Sequence, residues 1–130
     1  MLFQIKFLNL QRQTIKSGNN TINNATKKMV KSISIFQLKS DKESRSFLFM
    51  PLEFVENNAN FGLARYNEIY QSEFVSAHTD TEDILDDIYF KFNMCRPKDF
   101  KGHSLSTSDI VKMDNKYYYC DEYGWSRVRF

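Results

Sequence analysis

The stretch TDTEDILDDIYFKF, residues 79 to 92, constrains the fold more than any other in the chain. Thr79 and Glu82 stand at capping-box spacing, and Ile84, Leu85, Ile88, Tyr89 and Phe92 then recur at helical intervals to form one apolar stripe. The helix should stop before Pro97, because the residue ahead of a proline is pushed out of the helical region. A stripe of this kind needs a surface to cover it, and the following residues supply one. DIVKM and KYYYCD flank Asp114 and Asn115, a two-residue hairpin signal, and EYGW then turns into a last strand, SRVRF. The result is a three-stranded C-terminal meander against which the helix can pack.

Upstream, SISIFQLK (residues 32 to 39) alternates as a strand, with Ile33, Ile35 and Gln37 on one face. The charged turn SDKESR leads to a short extended piece, FLFMP. Pro51 then opens a short second helix, PLEFVENN, where its missing N–H has no partner to lose. RYNEIYQSEF (65 to 74) reads as a strand with Tyr66, Glu68 and Tyr70 on one face and Asn67, Ile69 and Gln71 on the other. At the start of the chain Phe3, Ile5 and Phe7 alternate with Gln4 and Lys6 as in a half-buried strand. A polar arm follows, with a turn signal at Ser17 to Asn20.

These patterns predict an α+β fold: a small, mostly antiparallel sheet with the C-terminal meander, one main amphipathic helix and a short second helix. The expected division is a basic N-terminal strand and arm over residues 1–31 and a folded unit over 32–130. With 42% hydrophobic and 15% aromatic residues in 130, the chain can bury a single core. No apolar run approaches the roughly 18 residues of a membrane span, so a cytoplasmic protein without a membrane partner is expected. Cys95 and Cys120 lie in no metal-ligand spacing and are expected to be reduced thiols; no metal and no cofactor is expected.

Charge is segregated. Residues 1 to 40 hold Lys6, Arg12, Lys16, Lys27, Lys28, Lys31 and Lys39 and no acid, whereas the remainder carries eleven bases against sixteen acids. Such blocks speak to partners and encounter rates rather than to fold. Lys16, Lys27, Lys28 and Lys31 are candidate contacts to nucleic acid or to an acidic surface, including the acidic body of the same chain. On the helix, Asp80, Glu82, Asp83, Asp86 and Asp87 cluster without an intervening base. The first three suit the positive end of the helix dipole. Asp86 and Asp87 stand at i+4 from Glu82 and Asp83, where like charges repel by a few tenths of a kcal/mol, roughly. A helix that accepts this repulsion is a candidate for meeting a basic groove, with Trp125 as an aromatic anchor.

KGHSLSTSDIV, residues 101 to 111, places His103, Ser104, Ser106 and Asp109 within a few positions of Gly102. His103 and Ser104 are neighbours and point to opposite faces of an extended segment, which makes them a poor nucleophile and base. No GxSxG elbow is present. The structural reading covers every residue: Gly102 for an unusual backbone angle, the serines for local backbone bonds, Asp109 for the entry into a strand. His78 is read as a surface residue ahead of the helix.

Three tracts, ISIFQLKSDKESRSFLFMPLEF, DILDDIYFKFNMCRPKDFKGHSLSTSDIV and YYYCDEYGW, resemble in order the YodL-like domain family. The shared positions include Gln37, Leu38, Arg45, Phe49, Ile88, Tyr89, Phe92, Asn93, Arg96, Pro97, Phe100, Gly102, His103, Leu105, Ser108, Asp109, Tyr119, Asp121 and Gly124. The resemblance implies a protein of phages or conjugative elements and brings no catalytic residue with it. It therefore implies a non-enzymatic counter-defence protein whose partner is a host CRISPR effector nuclease or its guide complex, occluded at its nucleic-acid site. The alternative it leaves is a nucleic-acid-binding accessory protein that uses the basic arm.

Overall fold

The computed structural model describes residues 28–130; the expected first strand at Phe3 to Phe7 and the polar arm, with Lys16 and Lys27, lie outside the described residues. Five strands, β1 (Met29–Leu38), β2 (Tyr66–Ser76), β3 (Ile110–Met113), β4 (Lys116–Asp121) and β5 (Gly124–Val128), form one antiparallel sheet in the order β2-β1-β3-β4-β5. Between β1 and β2 come two single-turn helices, α1 (Lys42–Arg45) and α2 (Leu52–Val55); between β2 and β3 lies the main helix α3 (Thr81–Met94). The α+β expectation and the C-terminal meander both hold.

β1 is buried on both faces from Ile33 to Gln37, because successive side chains point to opposite sides and both sides are covered. On one face Ile33, Ile35, Phe74, Val111 and Met113 pack beneath the α3 stripe of Ile84, Leu85, Ile88, Tyr89 and Phe92. On the other, Phe36, Tyr66, Ile110 and Tyr119 pack against Phe47, Leu52 and Val55 from the α1–α2 segment. The β3–β4 turn has Asp114 and Asn115 at φ 54° and 61°, the geometry a two-residue hairpin of matching twist requires. Gly124, at φ 104°, closes the β4–β5 turn in a region that other residues avoid.

Four local readings change. A bulge where Ile35 pairs with Tyr70 and Phe36 with Glu68 shifts the alternation of β2, so Tyr66 and Tyr70 join opposite cores instead of sharing a face. FLFMP is not extended: Phe47, Leu48 and Met50 donate to the carbonyls of Ser44, Arg45 and Phe47, continuing α1 as tight turns that put Phe47 into the lower core. The charged turn before it contains a helical turn capped by Asp41, which accepts from Ser44 N–H at 2.9 Å. That bond from the Ser44 backbone is the main reason the Asp41 carboxyl lies below its usual range. On α3 the N-cap is Asp80, in extended conformation, so Thr79 sits one residue too early to form a capping box with Glu82.

Candidate functional site

The loop between α3 and β3 is held by two amide side chains. Gln37, on the β1 face that looks toward α3, accepts the His103 N–H through Oε1 at 3.2 Å and donates through Nε2 to His103 O at 2.9 Å and Asp109 Oδ2 at 3.1 Å. Asn93, in the last turn of α3, does the same for Leu105: Oδ1 accepts its N–H at 2.6 Å and Nδ2 donates to its carbonyl at 3.2 Å. One carboxamide offers a donor and an acceptor, so each stands in for a neighbouring strand and satisfies backbone that no ladder reaches. Arg96 Nη1 adds a bond to Gly102 O at 3.3 Å.

Gly102 serves close approach, not backbone angle. Its φ is not in the left-handed region, and a Cβ there would overlap Ile69 Cδ1 and Gln37 Oε1. Ser108 does occupy the left-handed region, at φ 89°. Its Oγ accepts from Phe49 N–H at 3.1 Å and its carbonyl from Tyr66 Oη at 2.7 Å, ties to residues 59 and 42 positions away in sequence. Burial raises the Tyr66 hydroxyl above its ordinary value and keeps it a donor.

Asp109 is fully buried and accepts from Ser106 N–H at 3.0 Å as well as from Gln37. Burial pushes its pKa up to about 8, although those two donors pull the other way. Burial thus favours its neutral form over the carboxylate. His103 Nδ1 lies 3.9 Å from Asp109 Oδ2, beyond a hydrogen bond, and 2.8 Å from Ser104 O. Both Gln37 Nε2 hydrogens are already taken by His103 O and Asp109, so Nδ1–H donates to the Ser104 carbonyl. Ser106 Oγ is buried without a partner. Serine, imidazole and carboxyl are thus neighbours, but neither the Ser106 hydroxyl nor the Asp109 carboxyl is hydrogen-bonded directly to the imidazole, and Gln37 stands between His103 and Asp109.

The acidic helix divides by position. Asp80 and Glu82 are exposed and line a shallow groove with Thr81, Leu85, Tyr118, Trp125 and Arg127. Asp86 Oδ1 accepts the Trp125 indole N–H at 3.0 Å, which fixes the ring in that groove. Asp87 faces the β2 end, where Ser76 Oγ donates to Oδ2 at 2.6 Å and His78 Nδ1 lies 2.7 Å away. His78 is therefore half-buried and paired instead of standing alone on the surface. Asp83 is half-buried and does not line the groove. The like-charge repulsion read from the sequence is offset by donors contributed from β2 and β5.

Of the basic candidates, Lys28 is exposed and Lys31 Nζ is bound to Asp114 Oδ2 at 2.6 Å across the β1–β3 end. Gln37 and Asn93 carry the loop; the sequence marks them as polar residues among apolar ones and as positions of the family resemblance, with no sign of what they hold. Among the described residues no cluster of His, Cys, Asp and Glu could hold a metal ion, and no helix is long and apolar enough to cross a membrane.

No curated protein and no solved structure matches the chain. A family model described as the YodL-like domain matches residues 32–130, which takes in β1 from Ser32, both amide clamps, the loop they hold and the whole meander. The chain belongs to the YodL-like domain family.

Proposed function

We propose that the chain is a mobile-element counter-defence protein that acts without catalysis, by binding a CRISPR effector nuclease and occluding its nucleic-acid site. The observation that carries this reading is the groove at the start of α3, where exposed Asp80 and Glu82 flank an indole ring locked by Asp86. RNA-guided nucleases hold their heteroduplex in a positively charged channel, and an acidic face with an aromatic anchor has the chemistry to compete for it. The loop geometry favours the same reading, since the fully buried Asp109 lies 3.9 Å from His103 Nδ1, too far to hydrogen-bond and orient the imidazole. The test is DNA cleavage by a guide-loaded RNA-guided nuclease with and without the full chain. Inhibition should be lost in Asp80→Lys/Glu82→Lys with thermal stability retained; equal potency of that variant would sink the mechanism.

The second reading, a nucleic-acid accessory role, is favoured by seven bases and no acid in residues 1 to 40. It requires a mobility shift by the full chain that weakens steeply with salt, and a shift that ignores salt would reject it.

A further inference from the structure

β2 forms one edge of the sheet and, among the described residues, pairs only with β1. The direction of its free main-chain groups follows from the ladder. Lys39 N–H donates to Arg65 O at 2.9 Å, one step beyond the Leu38–Tyr66 pair, and in an antiparallel ladder every second residue turns its N–H and C=O to the same neighbour. Gln37, Ile35 and Ile33 therefore bond to β2, and Tyr70 and Ser72, opposite Ile35 and Ile33, are turned toward β1. Gln71, Glu73 and Val75 point theirs outward. Edge strands commonly carry a Lys or a Pro that discourages a further strand, yet residues 66 to 76 contain neither and hold only two charges, Glu68 and Glu73. The sheet face beside this edge is uncovered as well. The α1–α2 segment covers the Phe36 half of it, while Val30, Ser32, Ser34, Gln71, Glu73 and Lys112 line an open concavity on the other.

We propose that two copies of this chain pair through this edge, β2 against β2, about a twofold axis at Ser72. An axis perpendicular to the sheet places one residue opposite its own copy, so each register has a single residue at its centre. With Ser72 there, Gln71 faces the second copy's Glu73 as a main-chain hydrogen-bonded pair, and the exposed carboxamide donates to the exposed carboxylate. On the α3 side Tyr70 faces Phe74 of the second copy. Lys91 Nζ sits 5.6 Å from the centre of the Phe74 ring and Asp99 Oδ1 accepts from Tyr70 Oη at 3.0 Å, so the same register brings Lys91 of one copy toward Asp99 of the other. Both complementary pairs occur twice. A centre at Glu73 would instead oppose two like carboxylates, which destabilises a ladder. The bulge at Ile69 ends the shared ladder at Tyr70, so the interface is small and the dimer weak, with Kd on the order of micromolar or above. The groove with Trp125 lies on β4, β5 and the start of α3, away from this edge, and stays open in the dimer.

The test is sedimentation velocity of the full chain from about 10 µM to about 1 mM. A reducing agent is present throughout, because Cys95 is exposed. The sedimentation coefficient should rise with concentration as the dimer forms. Glu73→Pro removes one outward N–H and no bond to β1, so it should leave a monomer at every concentration with its thermal midpoint nearly kept. Gln71→Lys, set against the second copy's Glu73, should tighten the dimer roughly 3- to 10-fold, and Gln71→Glu should weaken it by a similar factor. A full chain that stays monomeric throughout overturns the proposal, as does a dimer that a folded Glu73→Pro leaves intact. If Gln71→Lys and Gln71→Glu shift the equilibrium in the same direction, or not at all, Gln71 does not face Glu73 and the pairing is wrong. The two Gln71 variants keep the test decisive should Glu73→Pro unfold.

Discussion

Asp109 gives the most direct physical test of the clamped loop. The perturbation is Asp109→Asn, which keeps an oxygen for the Gln37 and Ser106 donors and places an amide where Oδ1 now has no partner. Burial holds the folded-state pKa at about 8 against the ordinary 3.8 of an exposed aspartate, so between those values the folded chain binds a proton that the unfolded chain releases. The sign follows from linkage. Stability from this group is complete below about pH 4, falls as pH rises through the window to about 8, and changes no further above it. The slope is at most ~1.4 kcal/mol per pH unit, and the full window is worth on the order of 5 kcal/mol, a large part of a small domain's stability. Urea unfolding of the full chain and of Asp109→Asn, at pH 5 to 9, isolates the contribution as a difference. The difference should shrink by about 2–3 kcal/mol between pH 5 and pH 7, at the slope just given. Parallel curves, or a native chain that gains on the variant as pH rises, would refute the reasoning.

Other outcomes follow from the same bonds. Gly102→Ala should cost about 1–3 kcal/mol in denaturant unfolding, since the added methyl must displace Ile69 or the Gln37 oxygen that holds His103; an unchanged midpoint would show that the loop yields freely. Gln37→Leu leaves the His103 N–H and carbonyl and Asp109 short of partners, for a loss of about 3 kcal/mol and faster hydrogen exchange at residues 103 to 109. Asp86→Lys/Asp87→Lys should lower the thermal midpoint by several degrees, because the Trp125, Ser76 and His78 contacts are lost; Asp80→Lys/Glu82→Lys should leave it nearly unchanged. Trp125 is the only tryptophan, so loss of the indole bond in Asp86→Ala should also appear as a shift in its emission.

What the sequence made legible was what local period encodes. The α3 stripe, the Asp114–Asn115 turn and the β1 alternation need only residues a few positions apart, and each is found where its pattern lies. What it concealed depends on distant partners. Tyr66 and Tyr70 fall on opposite faces because of a bulge set by pairing with β1, which nothing inside RYNEIYQSEF announces. Phe47 turns inward since the lower face of the sheet needs covering. Asp86 and Asp87 look like an unbalanced charge pair until β5 brings Trp125, and β2 and the residues just after it bring Ser76 and His78. Gly102 invites a φ argument, whereas the real constraint is a side chain 65 positions earlier.

The same separation decides how the GHSLSTSD motif should be read. A catalytic serine, histidine and acid need mutual hydrogen bonds and an open approach; here each is engaged, or buried, in favour of backbone. Gln37 and Asn93 convert the motif into a rigid corner between α3 and β3, and the corner passes its position to the surface through Ser108, which accepts from Phe49. Side chains that hold a loop in this way set the position of Phe49, as Asp86 sets that of Trp125 in the groove at the start of α3. A binding protein gains affinity when its anchors are ordered before the partner arrives, because the ordering entropy has already been met in folding. On that argument the polar residues most like an active site hold backbone in place, and through Ser108 they fix where Phe49 sits.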